Sequence, residues 1–252
     1  MIKLNEEIND FNKLPLYVNQ HLSFLDTGNI RFMIAVWTFL LLDLCALPLL
    51  YPRVNIIYYV TIPLLVFIHL WAIRLLIKNT YSTQFECLLF IGVHGVIGSI
   101  CYFILIQKTA YFNLGIRAPM YYVISTILYL LITGILVSYQ FYKYSSIKKK
   151  TMQSVRKERE KESSNKYGYV IVLFPALGYT LSQTVMKQSD VAMYSLVYFA
   201  FLLLSIVLAY FAAKYLHKYF FMKANMEFVR FQTPSKKEMK QAEAEGKEYI
   251  IK

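Results

Sequence analysis

Three ionisable residues stand where an apolar environment makes them expensive. Asp43 lies in LLDLC, His69 in FIHLW and His94 in IGVHGVIGSI, each inside a long apolar run. An Asp at the centre of a membrane span costs roughly 2.5–3.5 kcal/mol on insertion scales, and such groups often mark ion paths or proton relays. Imidazole titrates near neutral pH, so a carboxylate beside it can take up and pass a proton. Neutral histidines also make ordinary hydrogen bonds between helices. A structural polar network and a functional one are therefore both open for Asp43, His69 and His94.

The surroundings of His94 point toward packing. Gly92, Gly95, Gly98 and Ser99 lie within one stretch of ten residues, and Gly95 and Ser99 have the small-xxx-small spacing that lets helix backbones approach closely. On that reading His94 hydrogen-bonds across a tight helix contact. Cys87, His94 and Cys101 are seven residues apart in turn and share a helix face. Neighbours in that series are about 10 Å apart along the axis, too far to share one metal ion. The three cysteines, Cys45, Cys87 and Cys101, read as small apolar packing residues. No zinc-protease helix, nucleophile elbow or phosphate loop is present. No catalytic role, metal or cofactor is expected.

The elements that hold these residues are legible from hydropathy. The chain has 252 residues, 57% hydrophobic and 17% charged, with mean hydropathy +0.42. Six segments, about 32–51, 55–77, 86–107, 119–142, 168–187 and 191–213, are long and apolar enough to span a bilayer. Backbone groups in lipid must bond within their own segment, which makes these segments helices. The expectation is an all-α polytopic membrane bundle of about six transmembrane helices. Asp43, His69 and His94 fall on the first three, between the midplane and the inner half. The opening residues have no short apolar core or cleavage site of a signal peptide.

Charge then orients the bundle. With the N-terminus inside, 23 of the 27 Lys and Arg residues are cytoplasmic, and only Arg53, Lys108, Arg117 and Lys187 lie in short outer turns. The positive-inside bias therefore predicts that both termini are cytoplasmic. The chain divides into an interfacial N-terminal segment (1–30), a four-helix part (31–143), a basic loop (144–167), a helix pair (168–216) and a basic tail (217–252). Lys148, Lys149 and Lys150 in the loop offer contact to anionic lipid. Residues 14–25 form a short amphipathic helix suited to lie in the interface. The last helix is expected to run on through HKYFFMKANMEFVRF, with Met222, Met226 and Val229 on one face. Ser235, Glu238 and Gly246 bound a further helix in the tail. Pro175 interrupts the fifth span just before the polar Tyr179, Ser182, Gln183 and Thr184.

Short outer loops, missing catalytic motifs and small-residue seams favour a non-enzymatic protein that works by helix contact with another membrane component or with a second copy. An accessory or assembly subunit and a toxin-immunity protein both fit. The alternative is a permease subunit served by a separate ATPase. The Lys-, Ile-, Tyr- and Phe-rich composition suggests a bacterial plasma membrane. Nucleic acid is not an expected partner, because the positive charge follows membrane topology.

Overall fold

The computed structural model describes residues 16–24, 26–145 and 189–233. Nearly all of them are helical, with no strand beyond one isolated bridge between Ser23 and Arg230. Helix α1 (Leu16–Leu22) precedes α2 (Thr27–Val36), which continues without a break through a π-helical stretch (Trp37–Leu42) into α3 (Asp43–Leu50). Then come α4 (Asn55–Ile77), α5 (Gln84–Phe112), α6 (Pro119–Ser145) and α7 (Asp190–Ala224), followed by a 3-10 turn (Met226–Phe228). Among the described residues, five helical stretches are long and apolar enough to cross a membrane: Gly28–Leu50, Asn55–Ile77, Gln84–Phe112, Pro119–Tyr144 and Asp190–Ala224. The fifth expected span, 168–187, with Pro175, Tyr179, Ser182, Gln183 and Thr184, lies outside the described residues. So do Lys148, Lys149, Lys150, Ser235, Glu238 and Gly246.

Helix α5 is the hub. Two thirds of its apolar window is buried inside the protein, against 28% for α7 and none for α6. Its closest neighbour is α7, and small residues explain why. A Cβ built on Gly95 would sit 2.8 Å from the Ala212 backbone nitrogen, and one on Gly92 would sit 2.8 Å from the Leu216 side chain. Only glycine lets the two backbones come this near. At Gly98 the obstacle is the end of Leu208, at 3.0 Å. Ser99 closes the seam: its hydroxyl donates to the Ser205 carbonyl at 2.9 Å, and the Ser205 hydroxyl donates back to the Ser99 carbonyl at 3.0 Å.

The two ends of the bundle are tied differently. At one end α1 docks on α7, and the chain after α7 pairs with it: Arg230 N–H donates to the Leu22 carbonyl at 3.1 Å. Gln84 and Gln232 exchange two hydrogen bonds there, at 2.8 and 3.0 Å. At the other end Gly115, with φ 68°, takes a left-handed backbone that lets the chain reverse from α5 into α6. Helices α6 and α7 run parallel, since the Tyr121 and Tyr198 hydroxyls bond at 2.6 Å near their starts and Tyr144 stacks on His217 near their ends.

Three sequence expectations change. The amphipathic segment is a docked helix and not a bare interfacial one, because Val18 and Leu22 are fully buried and Asn19 and His21 nearly so. Helix α7 stops at Ala224, so Met222 is in the core while Met226 is half exposed and Val229 is extended; the expected Met222–Met226–Val229 face is not continuous. Lys108, expected in an outer turn, belongs to α5, which runs on to Phe112, and it is 95% buried.

Candidate functional site

Asp43 begins α3 directly after the π-helical stretch, and His69 lies in the second half of α4. Asp43 is seven residues from the end of its span and His69 eight from the end of α4, which puts both about 10–12 Å inside those ends. The structure brings them together: His69 Nε2 is 2.8 Å from Asp43 Oδ1. The other ring nitrogen, Nδ1, donates to the Leu65 carbonyl at 2.6 Å, which fixes the ring on its own helix. Phe39 closes one side edge-on at 5.6 Å. Helical π-stretches recur at functional sites because they turn side chains out of α-helical register.

The pair does not face the core. The Asp43 side chain is 47% exposed and that of His69 24%. Leu40, Leu44 and Leu47 on one helix and Val66, Leu70 and Ile73 on the other are exposed around it. A polar pair thus interrupts an otherwise apolar outer surface.

His94 is not part of this pair. It points inward, 1% exposed, with rings of Trp37 at 6.1 Å and Phe90 at 5.8 Å. Neither ring nitrogen has a hydrogen-bond partner; the Trp37 carbonyl approaches without reaching bonding geometry. The expected three-residue cluster is therefore a pair plus a separate buried histidine. The expected cross-helix hydrogen bond from His94 is absent as well, and Ser99 makes the cross-helix bonds instead. Cys45, Cys87 and Cys101 are free and buried, and no group of three or more metal-binding side chains occurs among the described residues.

Two further polar features were missed from sequence. Lys108 Nζ donates to the carbonyls of Pro48, Leu49 and Pro52 at 3.0, 2.6 and 3.0 Å. It caps the end of α3, where helical carbonyls lack intrahelical partners and the helix dipole favours a cation. At the α1 end Lys218 repeats the device on the carbonyls of Gln20 and Ser23, at 3.1 and 2.6 Å.

Beside Lys218 lies a buried aromatic network. His21 Nε2 meets His217 Nδ1 at 3.0 Å, and His21 Nδ1 meets the Tyr144 hydroxyl at 2.9 Å. Tyr144 stacks on both imidazoles, at 4.0 and 4.8 Å. Burial pushes the His21 pKa from 6.5 down to about 2, with His217, Lys218, Lys214 and Lys143 acting in the same direction. A neutral His21 carries one ring proton, so the chain of bonds runs in one of two directions, from Tyr144 to His217 or the reverse. Its role in the fold is to fasten α1 to α6 and α7.

A second ion pair among the described residues, Arg74 with Glu86, joins α4 to α5 and shares Glu86 with the Trp71 indole at 3.1 Å. No family model, no curated protein and no solved structure matches this chain.

Proposed function

We propose that this chain is a non-enzymatic multi-pass membrane protein that works through helix–helix contact with another membrane component, in an accessory or assembly role. The observation that carries the reading is the outward placement of Asp43 and His69. Ionisable groups within membrane spans nearly always face a bundle interior or a water-filled cavity. Among the described residues the pair lies on the outer surface, with the exposed Leu40, Leu44, Leu47 and Leu70 along the same two helices. A neighbouring helix covering that face would remove the contact between the polar pair and lipid tails. Affinity capture from native membrane in mild detergent tests this. The wild-type chain is expected to retain a membrane protein that the double variant Asp43→Leu, His69→Leu loses at equal expression. Identical captures from both would sink the reading.

The orientation that goes with this function has both termini and the 143–166 loop in the cytoplasm, in a plasma membrane. Two things support it besides the positive-inside charge: the pairing of Ser23 with Arg230 at one end of the bundle, and the parallel course of α6 and α7, which requires the chain between them to join opposite ends. Single cysteines at Ser163, Gln188 and Gln241, in a background lacking the native three, test it with a membrane-impermeant thiol reagent. Only the Gln188 site should label in intact cells, and labelling at Ser163 or Gln241 would overturn the topology.

A further inference from the structure

We infer that Asp43 and His69 together form a single site that holds one shared proton on the outer face of the described helices. The inference rests on the geometry inside the pair and not on the partner reading above. A carbonyl only accepts hydrogen bonds, so the 2.6 Å contact between His69 Nδ1 and the Leu65 oxygen puts a proton on Nδ1. The 2.8 Å contact between Nε2 and Asp43 Oδ1 needs a proton too, because an unprotonated ring nitrogen and a carboxylate oxygen would repel. That second proton belongs to the pair. It is held as imidazolium with carboxylate, or as imidazole with carboxylic acid, and both forms are neutral overall.

Neutrality explains how a half-exposed carboxylate persists so far inside a span. Losing the shared proton would leave a bare negative charge against apolar side chains. Gaining one more would leave an unpaired imidazolium. The neighbouring elements supply little to offset either. Among α5 residues the buried His94 is the one whose charge would be felt by His69. Helix α3 contributes Cys45, and α4 contributes Arg74, whose charge is engaged by Glu86. Among the described residues Asp43 makes no other hydrogen bond, so the shared proton is the only one that joins it to a partner.

Dicyclohexylcarbodiimide is the probe, since it partitions into apolar phases and reacts with a carboxyl that has a proton at hand. The proton moves to a carbodiimide nitrogen and a carboxylate oxygen bonds to the central carbon. The O-acylisourea so formed then transfers the acyl group to nitrogen as a stable N-acylurea. Nothing leaves, and the peptide gains the mass of one reagent. In the purified, folded wild-type protein at pH 7 we expect one adduct, on Asp43, and none in Asp43→Asn. In His69→Leu the carboxyl loses the partner that shares its proton, and labelling at the same pH should fall at least fivefold. No adduct on Asp43 of the folded wild-type protein would overturn the inference. So would an adduct confined to Glu86, or labelling of Asp43 that His69→Leu leaves unchanged.

Discussion

Replacing Gly95 by Ala should loosen the α5–α7 seam by an amount the geometry sets. The added methyl would lie 2.8 Å from the Ala212 nitrogen, 3.0 Å from its Cα and 3.0 Å from the Leu208 oxygen, all backbone atoms that cannot rotate away. Ordinary contact begins near 3.4 Å, so the helices must part by at least about half an ångström. Overpacking of this kind costs about 1–3 kcal/mol, and the Ser99–Ser205 bonds one turn away lengthen with it. The better helix propensity of Ala offsets about 1 kcal/mol, leaving a net loss of about 0–2 kcal/mol, while Gly134→Ala gains the same propensity with no such cost. Gly134→Ala on α6 meets nothing within 4 Å and should be neutral or slightly stabilising. Gly98→Ala should fall between, because the end of the Leu208 side chain can swing aside. Reversible unfolding in mixed micelles measures all three. Gly95→Ala as stable as Gly134→Ala would refute the seam.

Three further outcomes follow from buried polar groups. His21 has a folded pKa of about 2 against 6.5 unfolded, so the unfolded chain binds the extra proton and stability falls as pH drops below 6.5. The slope is up to about 1.4 kcal/mol per pH unit; His21→Phe should flatten the acid limb of a pH–stability curve, and an unchanged limb would contradict the burial. His94 has two unbonded ring nitrogens, so His94→Leu should leave the unfolding midpoint equal or higher. A large drop would mean the ring makes bonds that the structure lacks. Lys108→Met removes three hydrogen bonds from the end of α3 and should destabilise by about 1–3 kcal/mol, read in the same unfolding assay; a midpoint equal to wild type would show that the cap is dispensable.

The sequence made the helices legible because hydropathy is a local property, and the same holds for the glycine run of α5. The π-stretch had no such signal. WTFLLL is an unremarkable apolar hexamer, yet it is π-helical and leads directly into Asp43. Depth along a helix can be counted from residue numbers, but the face a residue presents depends on rotation, so His94 and His69 could be put at similar depth but not apart. Lys108 read as a loop charge because a lone lysine ends a hydropathy window. Its aliphatic stem and three backbone acceptors keep it helical and buried. The His21–His217 contact spans 196 residues, and no spacing rule reaches that far.

The central claim is that the outer face around Asp43 and His69 meets a membrane partner. A photo-crosslinking side chain at Leu44 or Leu70, both exposed beside the pair, tests it directly in native membrane. The account predicts one discrete protein adduct from these positions, lost when Asp43 and His69 are both replaced by Leu. Crosslinks to lipid alone, or a protein adduct indifferent to that replacement, would contradict it.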